Sequence, residues 1–280
     1  MRAPEDALAY ALARLPATYA ACAAVFGEAR RLAQDFAPAR LLDAGAGPAG
    51  GSWAALEAWP SLSAATWLDA SAPFLDLARR LAGDGPGPLR AAEARRLDLT
   101  AEGVFPKADL VLTSYALAEI PEAAQAPLVA RLWDACEGVL ALVEPGTPAG
   151  FARILAARTA LIEAGAVLLA PCPHQAACPL ATPDWCHFSV RLPRSRDHRL
   201  AKGAAVPFED ERFAYLLAAR PGIQAASRAP RVLAPPRTGK PGIELKLCGP
   251  DGVQTRFVGK RDKAAYARAR RLGWGDPFEG

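Results

Sequence analysis

The chain is 280 residues long, 51% apolar and 22% charged, the make-up of a globular protein able to bury a substantial core. No run of 18 apolar residues is free of charge, so no membrane span is expected; Glu5 and Asp6 near the start, with no apolar stretch behind them, argue against a transit or signal peptide and for a reducing cytoplasm. The net charge of +4 hides an asymmetry: residues 1–150 carry 12 Lys and Arg against 18 Asp and Glu, residues 151–280 carry 21 against 11, so the second half suits a polyanion.

Residues 5–36 read as helix interrupted at Pro16, with apolar residues at helical spacing. Leu41, Leu42 and Asp43 form a short strand that runs into a glycine loop, and 52–59 resume a helix that Pro60 ends. A strand at 66–69 precedes a helix at 74–81. After a Gly/Pro-rich stretch come a short strand around 95–97 and a strong one at 108–113. A helix from about 121 to 136, a strand at 139–143 and a helix over 151–166 follow. Strands alternating with helices at this spacing predict a parallel, doubly wound α/β sheet. Beyond 167 the texture changes: 167–169 suit a strand, but 171–193 are rich in Pro, Cys and His and fit no regular element. Strands are expected at 213–219, 243–247 and 255–258, and a basic helix at 266–271.

The loop after the first strand reads Gly45-Ala46-Gly47-Pro48-Ala49-Gly50, a Gly-x-Gly-x-x-Gly turn that lets backbone approach a nucleotide closely. Asp43, two residues before Gly45, resembles the acid of the first motif in class I S-adenosylmethionine-dependent methyltransferases, where a carboxylate helps hold the amino-acid end of the cofactor while Gly45 and Gly47 pass beneath it. Asp69 ends the next strand, where a carboxylate can accept ribose hydroxyls of S-adenosylmethionine or NAD alike. Asp98 is a candidate for the adenine amino group, with a turn or helix cap as its other reading. The fourth strand ends in Ser114-Tyr115-Ala116, without the motif of amino-group methylases, and no catalytic base or nucleophile is assigned.

Six cysteines are present. Cys22 and Cys136 lie in Ala-rich helical contexts and read as core residues. Cys172, Cys178, Cys186 and Cys248 fall in the second half, where four thiolates suit a soft metal better than disulfides in a reducing compartment. Spacings of five and seven residues are wide for a zinc knuckle and favour an iron–sulfur cluster, with zinc or unliganded thiols as the alternatives. Cys172-Pro173 and Cys178-Pro179 repeat the Cys-Pro pairing of ferredoxin clusters. After Trp185, His187 and Phe188 come Arg191, Arg194, Arg196, Arg199 and Lys202, a surface for RNA phosphates and unstacked bases.

Several stretches resemble the methyltransferase-like family of mitochondrial small-ribosomal-subunit assembly proteins and their bacterial relatives. They are Arg14-Leu15-Pro16-Ala17-Thr18-Tyr19, the loop from Leu41 to Gly47, Glu144-Pro145-Gly146-Thr147, Pro171-Cys172-Pro173-His174, Cys178-Pro179, Asp184-Trp185-Cys186-His187-Phe188, Glu209-Asp210-Glu211-Arg212-Phe213 and Trp274-Gly275-Asp276. The resemblance implies a class I S-adenosylmethionine-dependent (Rossmann-like) fold, a 4Fe–4S cluster on the four cysteines, and binding to small-subunit rRNA. The expected division is an N-terminal helical segment at 1–36, an S-adenosylmethionine-binding core at 37–170, a Cys-rich cluster loop at 171–202, and C-terminal strands at 203–280 that complete the sheet and end in a basic tail. A monomeric rRNA-binding assembly factor is expected, with an active rRNA methyltransferase as the alternative.

Overall fold

The computed structural model describes residues 4–279. Met1, Arg2 and Ala3, the first part of the segment read for targeting, lie outside them. Helices α1 (Pro4–Ala13) and α2 (Leu15–Leu32) meet at Arg14, with Pro16 in the first turn of α2, where its missing N–H costs no helical bond. Strands β1 (Arg40–Ala44), β2 (Ala64–Asp69), β3 (Glu93–Arg96), β4 (Ala108–Ser114) and β5 (Cys136–Pro145) pair in parallel, in the order 3-2-1-4-5. The long strand β8 (Phe208–Ala219) runs antiparallel beside β5. Its outer edge is shared by β6 (Val167–Ala170) near one end and β7 (Phe188–Pro193) near the other. The order 3-2-1-4-5-8-6 with one reversed strand is the class I methyltransferase arrangement, a Rossmann-like doubly wound α/β sheet.

Both faces of the sheet are covered, which is why β4 and β5 read as continuous apolar runs. Leu110, Leu112, Val139, Ala141 and Val143 face α2, α3 (Gly50–Ala58) and α4 (Ala72–Ala82), while Val111, Leu140 and Leu142 face α6 (Glu122–Ala135) and α7 (Pro148–Glu163). A four-residue helical turn α5 (Gly87–Arg90) bridges α4 and β3. Among the described residues no single helix is long and apolar enough to cross a membrane; the bent pair α1–α2 passes on composition, but eight α2 residues are buried in this core.

Two expectations are corrected. The 171–193 stretch is not wholly irregular, since its last six residues form β7, and Ser195 then caps α8 (Arg196–Lys202) by accepting from the His198 N–H. The strands after 203 do not all complete the main sheet. Only β8 does; β9 (Arg231–Val232), β10 (Arg237–Thr238), β11 (Gly242–Gly249) and β12 (Gly252–Gly259) form a second antiparallel sheet, closed by α9 (Lys263–Ala269) over Val232, Ile243, Leu245, Leu247 and Val258. The physical reason is local pairing: Gly249 stands opposite Gly252, so Pro250-Asp251 is a two-residue hairpin loop that folds β12 straight back onto β11.

Candidate cofactor pocket and cysteine cavity

Gly45 and Gly47 hold left-handed backbone angles (φ +78° and +53°), and the N–H groups of Gly45 and Ala46 donate to the Leu68 carbonyl, tying the loop to the end of β2. Asp69 accepts from the Gly47 N–H and the Ser71 N–H, both at 2.8 Å, and burial raises its carboxyl above the ordinary range. These groups line a cavity of about 420 Å³, within the size of small-molecule sites. Its other walls come from α1 (Tyr10), the first turn of α4 (Phe74) and the β4 end (Tyr115); the sequence had not singled out Tyr10 or Phe74. Tyr10 packs on Phe74 with ring centroids 4.9 Å apart.

Asp43 and Asp98 stand elsewhere. Asp43 is fully buried beneath the first turn of α3, does not line the cavity, and accepts from the Ser52 hydroxyl at 2.7 Å, which in turn accepts from the Trp67 indole N–H. Its Oδ1 has no partner, and burial pushes its carboxyl up to about 7. Asp98 is exposed, does not line the cavity, and accepts from the N–H and hydroxyl of Thr100 in a local turn.

Tyr115, though not a glycine, also carries a left-handed backbone, φ +59°. Its hydroxyl donates to Glu211 Oε1 at 2.9 Å, and Arg14 donates to both oxygens of the same buried carboxylate, at 2.9 and 3.3 Å.

The four cysteines of the second half share one place. Cys172, Cys178 and Cys186 of the loop and Cys248 of β11 line a single cavity of about 30 Å³ with Arg158 and Arg231. Burial, with repulsion between neighbouring thiolates adding to it, pushes up the Cys172 and Cys186 thiols, and Cys248 to about 11. Arg158, 4% exposed, donates through Nε to Cys172 Sγ at 3.4 Å and through Nη2 to the carbonyls of His174 and Ala176. No described carboxylate pairs with it. Arg231, equally buried, is paired with Glu28 and donates to the Pro171 carbonyl. Among the described residues no group of three or more His, Cys, Asp or Glu side chains is arranged to hold a single metal ion. Cys22 and Cys136 are buried core residues, as their surroundings suggested. The tryptophan motifs cover the loop: His187 stacks on Trp185 and meets Trp274 edge-on, and the Trp185 indole donates to the Gly146 carbonyl.

The basic set divides. Arg191 pairs with Asp210, and Arg194 and Lys202 share Glu209, because the β7–β8 register sets Arg191 opposite Asp210 and Leu192 opposite Glu209. Arg196 and Arg199 have no carboxylate partner among the described residues.

A family model described as mitochondrial small ribosomal subunit Rsm22 matches residues 4–279. The chain is 31% identical to the human ribosome assembly protein METTL17, mitochondrial, over 96% of its own length and 61% of that protein. It is 26% identical to Rsm22-cox11 tandem protein 2, mitochondrial, of Schizosaccharomyces pombe, over 98% of its own length and 43% of that protein. It thus spans less than two thirds of the relatives it matches. Among solved structures, a putative RNA methyltransferase from Pyrococcus horikoshii superposes with a TM-score of 0.47 at 13% identity, covering 71% of this chain and 83% of that one. The magnesium protoporphyrin IX methyltransferase of Synechocystis with bound SAH gives 0.47 at 15%, covering 73% and 83%. The cytoplasmic expectation is overturned by these relatives, which are mitochondrial proteins and point to mitochondria; acidic residues near the start of the sequence do not report compartment, because the folded body of an organellar protein has ordinary composition. With the Rsm22 model matched over all the described residues, this chain belongs to the mitochondrial small ribosomal subunit Rsm22 family.

Proposed function

We propose that this chain is a small-subunit rRNA-binding assembly factor that takes S-adenosylmethionine in the 420 Å³ cavity and a 4Fe–4S cluster on Cys172, Cys178, Cys186 and Cys248. The cluster reading is carried by one observation: four thiols from a loop and a separate sheet face one cavity beside a buried guanidinium, Arg158, that has no described carboxylate partner. A buried, uncompensated cation is costly, and an anionic centre on four thiolates would compensate it. The sequence spacings of five and seven residues between the loop cysteines, wide for a zinc knuckle, favour a cluster over zinc. When bound, the cluster would supply net negative charge and a cross-link among the four ligands.

For the cofactor, Asp69 is the ribose acceptor and Gly45 and Gly47 form the floor, while Asp43 supports the loop from behind through Ser52. For RNA, the +10 second half and the unpaired Arg196 and Arg199 supply the phosphate-facing charge, with Arg191, Arg194 and Lys202 held in place by their acids. The names of the relatives supply the ribosomal context.

Anaerobic purification with iron, sulfide and zinc quantified tests the cluster. About four iron and four sulfide per chain are expected. One zinc per chain without sulfide would defeat the assignment. Mapping small-subunit rRNA methylation with and without the protein tests the rival reading, an active rRNA methyltransferase, which predicts a lost methyl mark.

A further inference from the structure

Two of the sequence blocks, Arg14 to Tyr19 and Glu209 to Phe213, stay unexplained by cofactor and cluster alone. In the structure they meet. Glu209, Asp210 and Glu211 are consecutive on β8, yet each holds a different part of the molecule. Glu209 holds Arg194 and Lys202, and Asp210 holds Arg191, so these two organise the basic strand β7 and helix α8. Glu211 faces the cavity side instead and accepts from Arg14 and from the Tyr115 hydroxyl.

The cavity-side pair is tied to the cavity wall in two ways. Tyr115 is itself a wall residue, held in a left-handed backbone that an L-residue adopts only under constraint. Burial and the neighbouring Glu211 keep its hydroxyl protonated, so it remains a donor at neutral pH. Arg14 lies one helical turn beyond Tyr10, another wall residue, and its N–H donates to the Tyr10 carbonyl at 2.7 Å. Helix α1, which carries Tyr10, packs on α4 at the cavity and also on α8 of the basic surface. A ligand seated in the cavity would touch Tyr10 and Tyr115. A shift in either wall reaches Glu211 directly, and from there passes along one strand to the acids that aim Arg191, Arg194 and Lys202.

We propose that Glu209, Asp210 and Glu211 form a positioning element, with Arg14 and Tyr115 as its cavity-side partners, through which occupancy of the cofactor cavity sets the presentation of the basic RNA surface on β7 and α8. The idea rests on the cofactor and RNA readings above. Neither Arg14 nor Glu211 is thereby a catalytic residue. Both act through others.

Linkage makes the coupling reciprocal, so two measurements must agree. The full chain is titrated with a small-subunit rRNA transcript, with and without saturating S-adenosylhomocysteine, and then with S-adenosylhomocysteine, with and without the RNA. A ligand that pins the walls is expected to tighten RNA binding about fivefold, the low end of ordinary allosteric coupling, and RNA to tighten the ligand by the same factor. In Tyr115→Phe, which deletes only the hydroxyl, and in Arg14→Gln, the factor is expected to fall below about twofold; being a ratio, it cancels losses common to both states. Binding of both ligands with no mutual effect, or a factor undiminished in Tyr115→Phe, overturns the coupling alone. No binding of S-adenosylhomocysteine at all overturns the cofactor reading and the coupling with it.

Discussion

Gly45 offers the sharpest stability test because two separate costs coincide there and only one operates at Gly47. A methyl group added at Gly45 would lie 2.5 Å from the Ala116 Cβ, an atom fixed to the backbone that cannot swing aside, and 3.5 Å from Leu99 Cδ1. At Gly47 nothing lies within 4 Å. Left-handed backbone costs an L-residue about 1–2 kcal/mol at either position. Overpacking adds about 1–3 kcal/mol at Gly45 alone. Gly45→Ala should therefore lose roughly 2–5 kcal/mol, and at about 2–4 °C per kcal/mol for a chain of this size the melting temperature should drop by about 4–20 °C. Gly47→Ala should drop by no more than about half of that. Because Gly47 borders the cavity, its methyl should instead weaken S-adenosylhomocysteine binding. Thermal melts followed by circular dichroism, with titration calorimetry on the same samples, separate the two effects. Equal melting temperatures for the two variants would refute the close approach of the glycine loop to the β4 end.

The buried carboxyl of Asp43 makes a pH prediction. Its folded value of about 7 stands above the ordinary 3.8, so its contribution is complete below about pH 4 and is lost as pH rises to about 7; stability of the ligand-free chain should decline over that window by at most about 4 kcal/mol, and Asp43→Asn should flatten the decline. Denaturant melts at pH 5 and pH 8 check it. Arg158→Gln keeps all four thiols but removes the buried cation beside them, and iron retained after gel filtration should fall below that of the parent chain; equal iron would remove Arg158 from the site. Arg196→Ser with Arg199→Ser should reduce the salt slope of RNA binding by about two, one per lost phosphate contact, whereas Arg191→Ser, whose charge Asp210 already offsets, should change it by less. Filter binding across a salt series reads both.

The parallel sheet was legible because β4 and β5 are buried on both faces and so read as unbroken apolar strands. The glycine loop was legible too, since left-handed turns leave a mark in residue type. Asp43 misled because its neighbour Ser52, nine residues on, captures the carboxylate under α3, and nothing in the local string distinguishes an acid aimed at a ligand from one aimed at a helix turn. Tyr10 was invisible as a wall residue, since it sits in a short helix with no motif, and the left-handed backbone of Tyr115 has no compositional sign. The arginines were legible as charge but not as pairs, because pairing depends on the β7–β8 register, and β7 hides between prolines in a stretch without alternation. The second sheet was missed as a sheet because its strands looked able to extend the first, and only the two-residue turn between β11 and β12 turned them onto each other.

Cys248 comes from the second sheet, whereas Cys172, Cys178 and Cys186 hang from the edge of the first. An inorganic centre shared by these sulfurs would act as a rivet between two layers that otherwise touch through groups such as Arg231 on Glu28. Its loss would let the small sheet swing away while the doubly wound sheet stayed folded. Damage at one atom-scale joint would then spread through the molecule as a change of shape.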